Sequence, residues 1–262
     1  MNHRDSMIDP RHLRTSQYVD DTQLRKRIAI HDRFSTSSQN WCHWLFEQIA
    51  FPRRPRTLEL GCGTGLFWNE NRHRLPGELV LTLTDISEGM LQSARTALQG
   101  ISFESQIADA QSLPFADASF DLVIANHMLY HVPDIALSIQ EIRRVLVPGG
   151  CLYAATNGID NMREMFELTG KDVSQRPVAT RFSLENGAAQ IEGSFDQVER
   201  RDFPCDLAVT EVQPVIDYLE STALEYDLTS EQVQHARDIV ADAIAQNGAF
   251  RIRKSAGVLI AR

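Results

Sequence analysis

The run Thr57-Leu58-Glu59-Leu60 passes directly into Gly61-Cys62-Gly63-Thr64-Gly65. An apolar strand that ends in three closely spaced glycines must turn tightly. Glycine serves where the backbone bends sharply and lets a ligand approach. Further strand-like runs occur at residues 79–85, 101–107, 120–126, 151–157, 195–203 and 257–262. Helical periods separate most of them. Trp41, Trp44, Leu45 and Ile49 share one face, closed by Pro52 and Pro55. Met90, Leu91, Ala94 and Leu98 share another behind Ser87, a candidate N-cap. Ile135, Ile139, Ile142 and Leu146 form a third, ended by Pro148-Gly149-Gly150. Strand and helix alternating at this cadence predict an α/β, doubly wound domain with a parallel sheet and right-handed crossovers. The run at 120–126 suits a central strand covered on both faces.

The pattern loosens after Asn157, with helical stretches near 212–219 and 231–244. We read 17–262 as one domain and 1–16, polar and unpatterned, as a mobile tail. Segments 17–50, 158–182 and 206–249 are expected to form a lid and substrate layer on the sheet. The formal net charge of −9 argues against a nucleic-acid partner, which requires a basic face. Arg25-Lys26-Arg27 and Arg53, Arg54 and Arg56 read as solvated faces. The apolar run at 256–261 is too short to span a bilayer. The first sixteen residues hold no apolar core of a secretory signal, so a cytoplasmic location is expected. Cys42, Cys62, Cys151 and Cys205 form no C-x-x-C pair, which predicts reduced thiols and no metal site.

In open α/β sheets the ligand lies beyond the carboxyl ends of the strands. A dinucleotide loop of the form G-x-G-x-x-G would place its third glycine at position 66, which is Leu66. The spacing here is G-x-G-x-G, with an acid, Glu59, two residues before it. With three later motifs in order, the chain from about Tyr18 onward resembles the class I S-adenosylmethionine-dependent methyltransferases. The resemblance implies a Rossmann-like, mostly parallel sheet of seven strands with added lid helices. It also implies that Gly61, Cys62, Gly63 and Gly65 wrap the methionine part of S-adenosylmethionine, with Glu59 near its amino group. Asp85, with Ile86 beside it, would take the ribose hydroxyls. Asp109 would accept from the adenine amino group, and the Ala110 N–H would face the ring. Leu113 and Phe115 would pack behind the strand, and Asn126 would lie beside the methionine moiety. Residues 143–150 match the family's helix-to-strand connector. The product would be S-adenosylhomocysteine.

After the fourth strand run the chain reads Asn126-His127-Met128-Leu129. It lacks the acidic metal site of catechol O-methyltransferases and the Pro-Pro-Tyr element of amino-group DNA methyltransferases. His127, Tyr130 and His131 are the best-placed titratable groups and the candidate catalytic residues. Histidine is easily tuned near neutral pH. The other reading makes them pocket architecture. In relatives the segment before the first strand folds over cofactor and substrate, which would bring Tyr18, His31, Arg33 and Phe34 to the site. Trp41, Trp44 and Trp68 read as core or lid packing. Residues 182–203 and 209–221 resemble the C-terminal half of bacterial small-molecule methyltransferases. The expected reaction is methyl transfer to an O, N or C nucleophile of a small metabolite by a monomer or homodimer. The alternatives are a tRNA or rRNA methyltransferase and a cofactor-binding protein without turnover.

Overall fold

Aliphatic and β-branched runs form a seven-stranded sheet. In chain order its strands are β1 (Arg56–Leu60), β2 (Val80–Asp85), β3 (Glu104–Ile107), β4 (Phe120–Asn126), β5 (Leu146–Asn157), β6 (Val198–Asp202) and, last, β9 (Ala256–Ala261). Their order across the sheet is β3-β2-β1-β4-β5-β9-β6. The first five pair in parallel, and β9 runs antiparallel to both β5 and β6. The structure, a computed structural model, describes residues 22–170, 181–221 and 228–262, with side chains from Lys26 onward. The expected tail at 1–16 and Tyr18 lie outside the described residues.

The order of strands reverses between β1 and β4, so the loops leaving their carboxyl ends diverge and leave a crevice. Helices cover both faces. On one side lie α2 (Trp41–Gln48), α3 (Leu66–Glu70) and α4 (Glu88–Ala97), around a core that includes Trp44, Phe67, Trp68 and Leu83. On the other lies α5 (Ile135–Val145), whose Ile135, Ile139 and Ile142 are buried against Val123 and Leu152. Ser87 caps α4 as read, its Oγ accepting from the Met90 N–H at 3.3 Å.

Three boundaries differ from the sequence expectation. β5 starts at Leu146 rather than 151, so Pro148-Gly149-Gly150 lies inside the strand. There the register against β4 breaks between Phe120 and Leu122, and Gly149 takes φ +77°. A local irregularity lets the strand continue where turn residues suggested a stop. β3 is confined to 104–107 and β6 to 198–202.

A second, two-stranded sheet was not anticipated: β7 (Leu207–Val209) pairs with β8 (Phe250–Ile252). Three residues are too few for a period to show. Around it pack α1 (Thr22–Phe34), α6 (Arg163–Glu167), α8 (Val212–Ser221) and α9 (Ser230–Asn247). α7 (Gly187–Ile191) packs instead near α5. Ile30, Phe34, Met165, Val215, Leu219 and Val240 give this layer its own apolar core. The layer is therefore a built unit beside the sheet.

Candidate functional site

The glycine loop is shaped by three left-handed residues: Gly61, Gly63 and Gly65 have φ of +61°, +55° and +74°. Each would be strained with a side chain, but for different reasons. A Cβ on Gly61 would come within 2.8 Å of Met128 Cβ, and one on Gly65 within 2.8 Å of Leu98 Cδ1. Gly65 thus serves the seating of the loop on α4 and does not line the cavity described below. A Cβ on Gly63 would meet nothing within 4 Å. Gly63 opens onto free space.

Asp85 ties this loop to the end of β2. Its Oδ2 accepts from the Gly63 N–H at 2.9 Å, and its Oδ1 from the Ser87 N–H at 2.8 Å. The Cys62 N–H donates to the Thr84 carbonyl at 2.9 Å. Burial raises the Asp85 carboxyl, while the bonds from Ser87 and Gly63 oppose that rise. Glu59, only 1% exposed, accepts from the Trp68 indole N–H. Burial pushes its carboxyl up to about 8, so it is mostly protonated at neutral pH. Asp109 accepts from the Gln111 backbone N–H at 2.9 Å and from its side-chain amide at 3.0 Å.

These groups share one cavity of about 790 Å³ at the strand ends. Glu59, Gly61, Cys62, Gly63, Asp85 and Ile86 line it, as do Asp109, Ala110, Asn126, His127, Tyr130 and His131. Among the residues expected to hold the cofactor or to act in catalysis, Gly65 alone stands aside.

The cavity continues under the second layer. Trp41 donates its indole N–H to Asn126 Oδ1 at 3.2 Å and packs 4.9 Å from the His127 ring and 5.5 Å from Phe203. His127 has φ +56°, uncommon for a residue with a side chain, and its N–H donates to the Ala155 carbonyl at 3.0 Å. Its Nδ1 is buried without a hydrogen-bond partner. Burial, with Lys254 and His131 nearby, holds this imidazole down at about 3. A group that weakly basic stays neutral at physiological pH. A neutral, weakly basic ring agrees better with the reading of His127 as pocket architecture than with that of a base.

His31 lines the cavity, as expected for the segment before β1, but Arg33 and Phe34 do not. Arg33 pairs with Glu211 at 2.6 Å at the surface, and Phe34 is buried in the core of the second layer. Both are on α1, where helical geometry turns them away from the face that carries His31. Sequence reasoning missed Asn161, Tyr218 and Lys254 and read Arg27 as a solvated face, whereas all four line the cavity and Arg27 is half-buried. Trp41 had been read only as packing. Asn161 and Lys254 sit singly in irregular segments, and Tyr218 lies on a helix whose period marks its buried face but not the residue that meets the cavity. Among the described residues no group of three His, Cys, Asp or Glu is placed to hold a metal ion. No described helix is long and apolar enough to cross a membrane. All four cysteines are free.

Comparison with known proteins matches residues 58–154 to a family described as "Methyltransferase domain". A malonyl-[acyl-carrier protein] O-methyltransferase of Legionella pneumophila is 31% identical over 189 residues, 70% of this chain and 60% of that one. The ubiquinone/menaquinone biosynthesis C-methyltransferase UbiE of Desulfotalea psychrophila is 33% identical over 112 residues, 43% of this chain and 45% of that one. The chain thus spans between about half and three fifths of the length of these relatives. Among solved structures, a Haemonchus contortus phosphoethanolamine N-methyltransferase 2 aligns with a TM-score of 0.58 at 16% identity, over 100% of this chain and 60% of that one. That likeness shows the fold. Residues 58–154 thus match a methyltransferase domain, and the strand order and the glycine loop agree with that likeness.

Proposed function

We propose that this protein transfers a methyl group from S-adenosylmethionine to an O, N or C nucleophile of a small molecule in the cytoplasm. The observation that carries the reading is the left-handed loop at 61–65. It is tied through Gly63 to Asp85 at the strand-order reversal and faces a cavity large enough for two ligands. The residues present fit the cofactor. Gly63 leaves open the space that a Cβ would fill, and Glu59, Asp85 and Asp109 supply acceptors for a cationic molecule with vicinal hydroxyls. Gly61, Cys62, Ile86, Ala110 and Asn126 complete its wall. The relatives compared above are named as O-, C- and N-methyltransferases, and the Haemonchus structure holds S-adenosylhomocysteine by its title.

When bound, S-adenosylmethionine supplies a methyl group already activated on a sulfonium. The protein's task is then to orient the acceptor and exclude water, and such positioning is worth roughly 7–11 kcal/mol. Trp41, His127 and Phe203 form a continuous ring-lined wall that does this beside Asn126. The described parts of segments 17–50, 158–182 and 206–249 act as the lid through α1, α2, Asn161 and Tyr218. Tyr130 and His131, with ring centroids 4.6 Å apart, remain as groups that hold or relay a proton if the acceptor arrives protonated.

Thermal unfolding with S-adenosylhomocysteine, S-adenosylmethionine and NAD in parallel tests this reading. A ligand at a hundred times its Kd adds about 2.7 kcal/mol. For a chain of this size that is a rise of roughly 5–11 °C. A rise with the two sulfur compounds and none with NAD is expected. A rise with NAD alone overturns the assignment.

A further inference from the structure

The second layer brings a cation into the cavity without an acid to meet it. Lys254 follows β8, and its ammonium lines the cavity 3.5 Å from His31 Nδ1 on α1. Asp206 accepts the backbone N–H of Lys254 at 2.9 Å and makes no ion pair with its ammonium. None of the ion pairs among the described residues includes Lys254. The cavity's acids stand elsewhere. Glu59, Asp85 and Asp109 belong to the strand ends, and Asp32 on α1 is raised by burial first and then by Glu70 on α3. Burial pulls the Lys254 ammonium down to about 8, which leaves it mostly charged at neutral pH.

An enclosed charge without a counterion is costly, and an oppositely charged partner relieves that cost. The neighbours of Lys254 support only that role. His31 is itself driven well below its usual value, by burial first and then by Lys254 and His127. A neutral imidazole cannot serve as counterion; with Nδ1 accepting from the ammonium, its proton sits on Nε2. The subsite therefore offers an ammonium backed by imidazole and no acceptor group strong enough to hold a second cation.

We propose that Lys254, oriented by His31, binds a carboxylate of the methyl acceptor, so that the acceptor is a small carboxylic acid. Lys254 alone balances a single negative charge, and Arg27 on α1, which also lines the cavity, makes a phosphate monoester the competing ligand in the test below. The assignment deepens the methyl-transfer reading and rests on it for the word acceptor; the anion subsite itself stands on Lys254 and His31. Asp85 and Asp109 at the strand ends face the cationic cofactor, and Lys254 in the added layer, which also brings Asp32 and Arg27 to the cavity, faces an anionic partner.

The test is a calorimetric and thermal-shift titration of the full chain, with and without saturating S-adenosylhomocysteine. The probes are phenylacetate and octanoate, their neutral amides, phenethylamine and phenyl phosphate. The carboxylates are expected to bind at least tenfold more tightly than the amides, the amine and phenyl phosphate. Lys254→Met is expected to abolish that preference, and Lys254→Arg to retain part of it, while the affinity for S-adenosylhomocysteine changes less than twofold. Equal binding of acids and amides, preference for phenyl phosphate, no carboxylate binding, or full preference in Lys254→Met overturns the subsite. Lys254-dependent carboxylate binding without any binding of S-adenosylhomocysteine would keep the subsite and overturn the methyl-transfer reading instead.

Discussion

The two halves of the cavity are made differently. The strand-end half is built mostly from backbone: two left-handed glycines at its wall, amide N–H groups bound to one carboxylate, and a chain reversal fixed by the order of strands. The added-layer half is built from side chains that arrive one at a time, from α1, the start of α2, the loop after β5, α8 and the turn after β8. A half made of backbone tolerates few sequences, because its geometry depends on φ. One made of side chains can be replaced a residue at a time. On the proposed function, that difference assigns the cofactor to the first half and the choice of acceptor to the second.

The sharpest way to break this division is at Asp85. Asp85→Ala removes both the carboxylate at the end of β2 and the tie to the Gly63 N–H. A loss of more than 100-fold in S-adenosylhomocysteine affinity by calorimetry is expected, with the protein still folded by circular dichroism. Undiminished affinity would mean that the strand-end half is not the cofactor side. Gly65→Ala comes next. Its left-handed φ and the 2.8 Å approach to Leu98 predict a stability loss of about 1–3 kcal/mol in denaturant unfolding. Gly63→Ala meets no neighbour and is expected to lose less stability while still weakening cofactor binding, since its Cβ enters the cavity. Equal effects of the two on stability and binding would erase the distinction between a packing glycine and a facing one.

Glu59 sharpens the comparison through pH. Its carboxyl is near 8 when folded against an ordinary value of 4.5, so the folded chain holds a proton that the unfolded chain has released. The stability from that proton is full below about 4.5 and is lost as pH rises toward and through about 8. Unfolding midpoints of the unliganded protein are expected to fall across this window, and Glu59→Gln to flatten the fall, because Gln still accepts from Trp68. An unchanged slope would show Glu59 ionised at neutral pH.

Legibility in the sequence followed the same division. The glycines, Asp85, Asp109 and Asn126 could be placed because each follows a strand run at a fixed offset, and the parallel order follows from the alternation of periods. Lys254 could not. It stands between two strands of three and six residues, and only pairing with β7 and β5 shows where its side chain goes. The start of β5 was misplaced for a related reason: Pro148-Gly149-Gly150 has the chemistry of a stop, and the register break that absorbs it depends on β4. Arg33 and Phe34 were assigned to the site with His31 by proximity in sequence, whereas the turn of α1 sends them to the surface and to the second core.

His127 lies where the halves meet and gives the smallest expected effect. Its φ of +56° belongs to the strand-end half, while its ring, stacked near Trp41, belongs to the other. Two substitutions separate these roles. Asparagine is among the residues that accept a left-handed conformation, so His127→Asn is expected to change stability by less than about 1 kcal/mol. Valine is branched at Cβ and resists it, so His127→Val is expected to lose about 1–3 kcal/mol. Because the imidazole sits near 3, no step in cofactor affinity or transfer rate between pH 5 and 8 should vanish in His127→Asn. Transfer of labelled methyl groups to carboxylic acids found by the titrations above provides the rate. A step near pH 6 present in the wild type and lost in His127→Asn would restore this histidine as the base. Equal stability of the two variants would show that the backbone at 127 bears no strain, and would leave the wall it forms with Trp41 as its one contribution.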